Sequence, residues 1–209
     1  MEDRTPPARR DGRRDNAATT REALLTAGRR LFGLQGYEGA SIGALCAEAG
    51  VTSGALYHHF GDKAGLFAAV AEQLDAGLVQ QVASARTRAS GRGEDPWNAF
   101  LAGVDALLKA GADAGGRRIG LVDAPAVLGS AGWEAIRERH GLGAMVETVK
   151  SLQNLGLLVS GDARRLARII LGTLYAALEA LPAERSTAAL SETRRLLHAL
   201  LGALRPSGP

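Results

Sequence analysis

The stretch Ser41–Lys63, SIGALCAEAGVTSGALYHHFGDK, constrains the fold of this 209-residue chain more than any other. Ser41 is a residue type preferred at a helix N-cap, and apolar residues follow it at helical spacing. Gly50 stands where such a helix needs a left-handed residue in order to end. Thr52 suits the N-cap of a second short helix. The stretch therefore predicts two short helices joined by a tight glycine turn.

The second of these helices has two distinct sides. Leu56 and Phe60, four residues apart, are expected to face inward. The outward side chains are small, hydrogen-bonding or aromatic, and none is acidic: Ser53, Gly54, Tyr57 and His58. A short helix that buries one side and presents such a mixture on the other suits the major groove of DNA. The pattern indicates a helix-turn-helix.

A wider run of residues carries a family resemblance. The first predicted helix ends in LFGLQGYEGASI, and AEAGVTSGALYHHFGDKAGLF follows it. Over residues 18–67 these motifs resemble the DNA-binding domain of the TetR family of transcriptional regulators. The resemblance implies an all-α fold of about nine helices. An N-terminal three-helix helix-turn-helix domain would be joined by a long helix to a helical ligand-binding and dimerisation domain.

Three segments are expected on this basis. Residues 1–17 combine Pro, Gly, Arg and Asp without apolar periodicity, so we expect a disordered basic arm there. That arm is either a solvated tail or a segment that settles on DNA phosphates. The DNA-binding domain is expected over residues 18–66, and the ligand-binding and dimerisation domain over residues 67–205.

The charge distribution limits how the chain could hold DNA. The whole chain carries a net charge of +3, but residues 22–66 hold only Arg29, Arg30 and Lys63 against four acidic residues. Bulk positive charge is therefore absent from the predicted DNA domain. Affinity would depend on a few placed contacts, on helix N-termini and on the Arg-rich arm.

The resemblance implies specific DNA contacts. Thr52, Ser53 and Gly54 would approach base edges or the sugar-phosphate walls. The remaining contacts would be with phosphates, some at helix N-termini where the helix dipole assists. The full expected set is Arg21, Ser41, Thr52, Ser53, Gly54, Tyr57, His58, His59 and Lys63. A packed ring is the alternative for His59, and a plain surface aromatic is the alternative for Tyr57.

Helical periodicity predicts the other elements. The first helix is expected from Thr19 or Thr20 to Leu34, with Gly36 stopping it and Tyr37 packing under the turn. A long helix is expected from Lys63 to about residue 89. Further helices are expected over residues 97–114, 117–128 and 133–155, with Pro125 bending the second and a kink at residues 140–143 in the third.

The last two helices are expected to start at Asp162 and at Ser186 or Thr187. They could complete the core of a single protomer, or pair with a second subunit as a four-helix bundle, as the resemblance implies. We favour the homodimer, because a two-fold dimer presents two recognition helices to two half-sites. The expected interface residues are Leu166, Ile170, Leu174, Leu197 and Leu201.

A small-molecule pocket is expected in the larger domain. Its candidate lining residues are apolar side chains at helical spacing with two aspartates among them: Trp97, Leu101, Val104, Asp105, Leu108, Val122, Asp123, Trp133, Ile136 and Met145. Asp105 and Asp123 would orient a cationic or hydroxyl-bearing effector, or would simply face solvent. Plain core packing is the alternative for the apolar residues.

Several other classes of protein are disfavoured. The sequence lacks the GxSxG, Walker, HExxH and GxGxxG motifs, so we expect neither an enzyme nor a cofactor. His58 and His59 are adjacent and would point roughly 100° apart on a helix, so no metal site is expected. Cys46 is expected to be a buried spectator. No apolar run of membrane-spanning length occurs, and we expect a cytoplasmic protein.

These observations predict a ligand-responsive transcriptional regulator, specifically a repressor. Its partners would be a double-stranded DNA operator, a small-molecule effector and a second copy of the chain. The effector would favour a conformer whose two DNA-binding domains no longer match the operator spacing. The alternatives are an activator without classical derepression, a small-molecule binding protein that has lost DNA function, and a hydrolase or transferase built on a helical bundle.

Overall fold

The computed structural model of the chain describes residues 11–182 and 186–206, with side chains from residue 17 onward. All regular structure in these ranges is helical, which confirms the all-α prediction. The α-helices are α1 Asp11–Gly39, α2 Ile42–Ala49, α3 Ser53–Phe60, α4 Lys63–Gly91, α5 Pro96–Gly111, α6 Ala114–Arg117, α7 Ala124–Arg137, α8 Gly143–Asn154, α9 Ala163–Glu179 and α10 Thr187–Gly202. Two π-helical segments, π1 Arg118–Asp123 and π2 Glu138–Leu142, flank α7. None of the described helices combines the length and hydropathy needed to cross a membrane.

Helix α1 begins earlier than expected. Residues 11–17, assigned above to a disordered arm, are helical, and the predicted start at Thr19 or Thr20 is too late. The absence of apolar periodicity does not prevent a helix from extending, because propagation from packed turns needs no new nucleus and no proline interrupts these residues. Residues 1–10 of the predicted arm lie outside the described residues.

Helix α1 is kinked at Gly36, the residue at which the sequence predicted that the helix would stop. Gly36 has φ 76° and ψ 171°, a conformation that interrupts the helix and that residues with a Cβ rarely adopt. Tyr37 then packs beneath the turn, with its ring centroid 6.0 Å from that of Phe32 and 5.2 Å from that of Phe67. This aromatic cluster ties the end of α1 to the first turns of α4.

The chain divides into two compact units, one ending at Val70 and the other beginning at Ala71. The boundary therefore falls inside α4, beyond residue 66. The first turns of α4 belong to the first unit because Leu66 and Phe67 are fully buried there. A Cβ added to Gly28 on α1 would lie 2.8 Å from Val70 Cγ2, so α1 and α4 approach closely in this unit.

Gly65 marks a still closer approach, between α4 and the end of α3. A Cβ at this position would lie 2.0 Å from the carbonyl oxygen of Phe60, and backbone cannot move away as a flexible side chain would. The Gly65 N–H also donates to Asp62 Oδ1 at 2.7 Å, which holds the start of α4 in place.

We therefore expect Gly65→Ala to lower the free energy of unfolding by about 2 kcal/mol. Gly77→Ala, on the same helix with no atom within 4 Å of its added Cβ, is the matched control. It should be neutral or raise stability by about 0.5–1 kcal/mol through helix propensity alone. Urea unfolding followed by circular dichroism measures both. Equal effects of the two substitutions would show that the contact with Phe60 does not constrain position 65.

The second unit is a bundle formed around α5, α8, α9 and α10. Its core contains Trp97 and Phe100 from α5, Leu152 from α8, Ile170 from α9 and Leu201 from α10. Side-chain caps begin three of these helices, as Asp95, Asp162 and Ser186 each accept a hydrogen bond from a backbone N–H in the first turn. The two caps expected at residues 162 and 186 are thus confirmed.

The middle of this unit differs from the prediction. Pro125 does not end the helix: it is the second residue of α7 and follows π1 directly, where the α-helical hydrogen-bond pattern is already interrupted. The break falls instead at Gly129, with φ 71° and ψ 160°. The kink expected near residues 140–143 is present as the π2 segment, which widens the helix before α8.

Candidate nucleic-acid interface and internal cavity

The turn between α2 and α3 is held by hydrogen bonds at three caps. Ser41 Oγ accepts from Ala44 N at 3.1 Å, and Thr52 Oγ1 accepts from Ala55 N at 3.4 Å. Gly50, at φ 65°, closes α2 in the left-handed conformation and donates its N–H to the carbonyl of Ala47 at 3.2 Å. Each of these three features follows from the local sequence, and the helix-turn-helix prediction is confirmed.

Helix α3 buries one side and exposes the other. Leu56 is fully buried, whereas Phe60, expected to face inward with it, is half-buried. The exposed residues at and after its N-cap are Thr52, Ser53, Gly54, Tyr57 and His58, here called the α3 surface. Tyr57 is 51% exposed, although a large apolar ring usually gains by burial. The α3 surface contains no carboxylate to repel a phosphate.

Two other predicted contacts lie beside the C-terminal turn of α3. His59 is half-buried, and its ring centroid lies 5.2 Å from that of His58 and 6.3 Å from that of Phe60. Arg21 is exposed on α1, with its guanidinium carbon 5.4 Å from the Phe60 centroid. The packed-ring alternative thus describes the position of His59, whereas Arg21 keeps an exposed cation next to α3.

Lys63, at the first turn of α4, is engaged within the unit. Its Nζ donates to the carbonyl oxygen of Tyr37 at 3.0 Å and lies 4.2 Å from the centroid of the Tyr37 ring. An ammonium has three donor protons, so a phosphate could still take another. The sequence did not indicate this second role, in which Lys63 secures the turn after α1.

Arg30 is likewise held by a partner inside the unit. Its guanidinium forms a bidentate pair with Glu48, with both N···O distances at 2.6 Å, and this joins α1 to α2. The hydrogen bonds from Arg30 hold the pKa of Glu48 below its usual range. Because the Arg30–Glu48 pair is neutral as a whole, it adds little positive charge to the surface of this unit, which carries few cations.

The second unit contains a partly open cavity of about 100 Å³, lined by residues of α4, α5, π2, α8 and α9. Of the predicted pocket residues, Val104 and Met145 line it. The others do not line this cavity: Trp97, Leu101, Asp105, Leu108, Val122, Asp123, Trp133 and Ile136. Trp97 and Leu108 are plain core, and Val122 is exposed. Eight of the ten predicted residues thus lie away from this cavity.

Asp105 has structural partners instead. Its carboxylate forms a bidentate pair with Arg194, with both distances at 2.7 Å, and lies 2.8 Å from His198 Nε2. Burial raises the pKa of Asp105, but the hydrogen bonds from Arg194 and His198 outweigh it and hold the pKa below its usual value. This carboxylate links α5 to α10 rather than facing a ligand.

Helix α4 supplies the part of the cavity that sequence reasoning missed. Asp75, Leu78, Val82 and Arg86 lie on one side of this helix and face the cavity. A signal was present in the sequence, because Asp75 lies between Leu74 and Leu78, within the apolar stripe of α4. The stripe had been assigned only to the connection between domains.

The polar groups of the cavity are few. Asp75 is 4% exposed, and its Oδ2 has no hydrogen-bond partner. Burial raises the pKa of Asp75 to about 6, against the opposing charges of His140 and Arg137. Arg86 donates from Nη1 to Thr148 Oγ1 at 2.5 Å, while its Nε has no partner.

An ion-pair cluster ties the wall of the cavity to α4. Glu72 accepts from Arg139 at 2.9 Å and lies 3.0 Å from His140 Nε2, and both partners belong to π2. Gly141 of the same segment lines the cavity. Arg137 stacks on Tyr175, with its guanidinium carbon 3.2 Å from the ring centroid.

The expected dimer residues lie mostly inside the protomer. Ile170, Leu174, Leu197 and Leu201 belong to its own core, and Leu166 is half-buried against that core. Large apolar side chains are exposed on the other side of the same helices. They are Ile169 on α9 and Leu196 and Leu200 on α10, with Ala199 and Ala203 beside them, here called the α9–α10 face. Four of the five expected interface residues are thus occupied within the protomer, and the large apolar side chains of α9 and α10 that remain exposed are those of the α9–α10 face.

Metal and redox sites draw on His, Cys, Asp and Glu side chains. Among the side chains that the structure describes, no group of three His, Cys, Asp or Glu residues is arranged to hold a metal ion. Cys46 is buried on α2, and burial raises the pKa of its thiol. A thiol with a raised pKa is a poor nucleophile at neutral pH.

Sequence comparison matches both parts of the chain to one family. Residues 24–70 match the model described as "Bacterial regulatory proteins, tetR family", and residues 97–204 match "Tetracyclin repressor-like, C-terminal domain". The transcriptional repressor AcnR of Corynebacterium glutamicum is 41% identical over 70 residues, which are 34% of this chain and 37% of AcnR. The regulator AcrR of Shigella flexneri is 42% identical over 59 residues, which are 28% of this chain and 27% of AcrR. The match thus spans little more than a third of these curated relatives at most.

Solved structures extend the likeness to the whole chain. A TetR-family regulator of Pectobacterium atrosepticum has a TM-score of 0.76 and 34% identity, covering 94% of this chain and 99% of that one. RolR, solved in complex with resorcinol, has a TM-score of 0.66 and 18% identity, with 90% of each chain covered. The latter supports the fold alone. With both segments matched in order and one solved regulator 34% identical along nearly its full length, this chain belongs to the TetR family of bacterial transcriptional regulators.

Proposed function

We propose that the chain is a homodimeric repressor that binds an operator through α3 and is released by a small-molecule effector. The observation that carries the DNA-binding part is the α3 surface, exposed and free of carboxylates above a fully buried Leu56. The relative AcnR is named a transcriptional repressor, which supports repression over activation for this protein. We place the protein in the cytoplasm, where such a regulator meets its operator.

The contacts with DNA divide by position on the surface. Thr52, Ser53 and Gly54 stand at the N-terminal end of α3, where short side chains allow close approach to base edges. Tyr57 and His58, one turn further on, would reach phosphates. Ser41 would contribute its hydroxyl proton, since its oxygen already accepts the capping N–H.

Cations at the edge of the unit would add phosphate contacts. Arg21 is exposed beside Phe60, and Lys63 would share its ammonium between the Tyr37 carbonyl and a phosphate. Because the unit as a whole is close to neutral, each such contact would contribute a large share of the affinity. His59, half-buried between two rings, would orient His58 more than it would touch DNA.

The α9–α10 face would form the dimer interface. Ile169 is 56% exposed and Leu200 60% exposed, and α9 packs beside α10. Leu196, Ala199, Leu200 and Ala203 follow one another at helical spacing, so they form a continuous apolar stripe. A two-fold pair of such stripes would bury them and set two α3 helices at one separation, about 34–36 Å for adjacent half-sites.

The cavity would receive the effector. Helix α4 lines it and also contributes Leu66 and Phe67 to the core of the DNA-binding unit. A ligand that favours one position of α4 would therefore bias the conformer that fits the operator. A 100-fold preference for the non-binding conformer, about 2.7 kcal/mol, would be sufficient for strong induction.

The test is binding to a fragment of the protein's own promoter. We expect Tyr57→Ala to weaken that binding at least tenfold, because a hydrogen bond to a charged phosphate is lost. Val122→Ala, which also shortens an exposed side chain but lies in the other unit, should leave it unchanged. Fluorescence anisotropy at several salt concentrations measures both variants and the salt dependence of the wild type.

Two results would contradict the proposal. The first is promoter binding that does not weaken with salt, since phosphate contacts release counterions. The second is equal binding by the Tyr57→Ala and wild-type proteins. Either result would show that phosphate contacts from the α3 surface do not carry the binding. A wild-type protein that does not bind its promoter would instead favour a small-molecule binding protein whose N-terminal unit no longer reads DNA.

A further inference from the structure

The cavity in the second unit holds a carboxylate oxygen with no partner. Asp75 is 4% exposed, and its Oδ2 is buried without a hydrogen bond. Leaving a buried charged acceptor unsatisfied costs at least as much as losing a hydrogen bond, so such groups are rare in native proteins. Asp75 lines the cavity, which places the unsatisfied group where a ligand could complete it.

The surroundings of Asp75 define which donor would complete it. His140 and Arg137 already act on this carboxylate as positive charges, and Glu72 acts as a negative one. An amine would bring a further cation into this group and would have to be desolvated as an ion. A second carboxylate would be repelled. A neutral hydroxyl supplies the missing proton donor without either cost.

The rest of the lining is mainly apolar. The apolar part includes Phe100, Val104, Leu107 and Leu174. Arg86 also lines the cavity, 11 positions after Asp75 on the same side of α4 and about 16 Å further along the helix axis. The Nε of Arg86 also has no partner, but a ligand one ring across that reaches Asp75 would not extend to it. A cavity of about 100 Å³ is smaller than the engineered one of about 150 Å³ that holds benzene. The ligand would be about the size of one ring.

Building on the repressor function proposed above, we propose that the effector is a small, mainly apolar molecule whose hydroxyl group donates a hydrogen bond to Asp75. The carboxylate is the specificity element of the cavity, and the apolar walls supply most of the burial. Asp105 and Asp123, the aspartates singled out by their sequence positions, take no part in this recognition.

The test is a double-mutant cycle between the ligand's hydroxyl and the Asp75 carboxylate. The full chain is titrated with 4-fluorophenol and with 4-fluorotoluene, which differ in one hydroxyl, and binding is followed by fluorine NMR. For each protein we take the ratio of its affinity for 4-fluorophenol to its affinity for 4-fluorotoluene. This ratio is expected to be at least tenfold higher in the wild type than in Asp75→Leu. Asp75→Ala, which removes the carboxylate but leaves more space, should show the same loss of preference.

Glu147→Gln is the matched control. Glu147 is an exposed carboxylate on α8, a helix that also lines the cavity. This variant should keep the wild-type ratio. A ratio that is the same in the wild type and both Asp75 variants would overturn the proposal, as would a loss of preference in Glu147→Gln of equal size.

Promoter binding by the same samples separates this inference from the repressor function. If the wild type binds its promoter but shows no hydroxyl preference, the effector class is wrong and the repressor function stands. If the hydroxyl preference is present but the wild type does not bind promoter DNA, the cavity specificity stands and the repressor function is wrong. A phenol that binds through Asp75 without weakening promoter binding at saturation would overturn its role as the effector class.

Discussion

Replacing Leu196 and Leu200 together with glutamate is expected to convert the proposed dimer to a monomer and to weaken operator binding at least 100-fold. Both residues lie on the α9–α10 face, 48% and 60% exposed in the protomer. Two carboxylates in each copy would have to be buried without partners at a two-fold interface, which costs several kcal/mol. A monomer also carries one α3 helix and loses the contacts of the second half-site.

Analytical ultracentrifugation and anisotropy on promoter DNA measure these two effects. Leu155→Glu, which places a charge on an exposed leucine at the end of α8, is the control and should remain dimeric. Leu201→Ala tests the correction to the interface itself. Leu201 is 2% exposed in the protomer core, so this variant should destabilise the fold by about 2–5 kcal/mol. A stable Leu201→Ala protomer that fails to dimerise would return the interface to the originally predicted side.

Asp75→Asn is expected to stabilise the protein at pH 7.5 and to make little difference near pH 4. Burial raises the pKa of Asp75 from 3.8 to about 6. A carboxyl group with a raised pKa favours the folded state while it is protonated, and this contribution is lost as the pH rises through the pKa of the folded state. The shift from 3.8 to about 6 corresponds to about 3 kcal/mol in the free energy of unfolding at neutral pH.

The groups that face Asp75 define the interpretation of that experiment. They are His140, Arg137 and Glu72, together with Tyr175 on α9. Burial raises the pKa of the Tyr175 phenol, Arg137 lowers it, and the charge of Asp75 raises it further. Since asparagine mimics the protonated carboxyl, the variant should lose the fall in stability between pH 4 and pH 7. Urea unfolding at fixed protein concentration measures this, because dimerisation makes apparent stability depend on concentration.

Asp105→Asn supplies a control of opposite sign. Its pKa lies below the usual value despite burial, because Arg194 and His198 donate to the carboxylate. A lowered pKa stabilises the folded state above the unfolded pKa, and that stability is lost as the pH falls through the folded value. Asp105→Asn should therefore destabilise the protein at pH 7.5. A destabilising effect of Asp75→Asn at the same pH would show that the Asp75 carboxylate is not strained by burial.

A stabilising effect of Asp75→Asn would mean that the buried carboxylate lowers the free energy of unfolding and that the fold does not require it. An apolar or amide side chain at position 75 would make a more stable protomer. A buried group that lowers stability is expected where function needs it, because stability and function often conflict at ligand sites. The pH experiment and the fluorine NMR cycle thus examine one carboxylate from two independent directions.

The DNA-binding unit was largely predictable because its signals are local. Ser41, Gly50 and Thr52 act within one turn of their own positions, through a cap hydrogen bond or a left-handed backbone. Such effects depend little on the rest of the chain. The engagement of Lys63 with Tyr37 was not predictable in the same way, because 26 positions separate the two residues.

The residue sequence by itself determined that this chain folds into amphipathic helices, where most of them begin and end, and that α3 presents a surface suited to DNA. The tertiary structure alone decided which sides of α9 and α10 face outward and which residues enclose the cavity. On α10 the sequence offers Leu196 and Leu200 beside Leu197 and Leu201, two apolar stripes roughly 100° apart. Periodicity detects both stripes equally, and only packing against α5 and α9 selects the one that is buried.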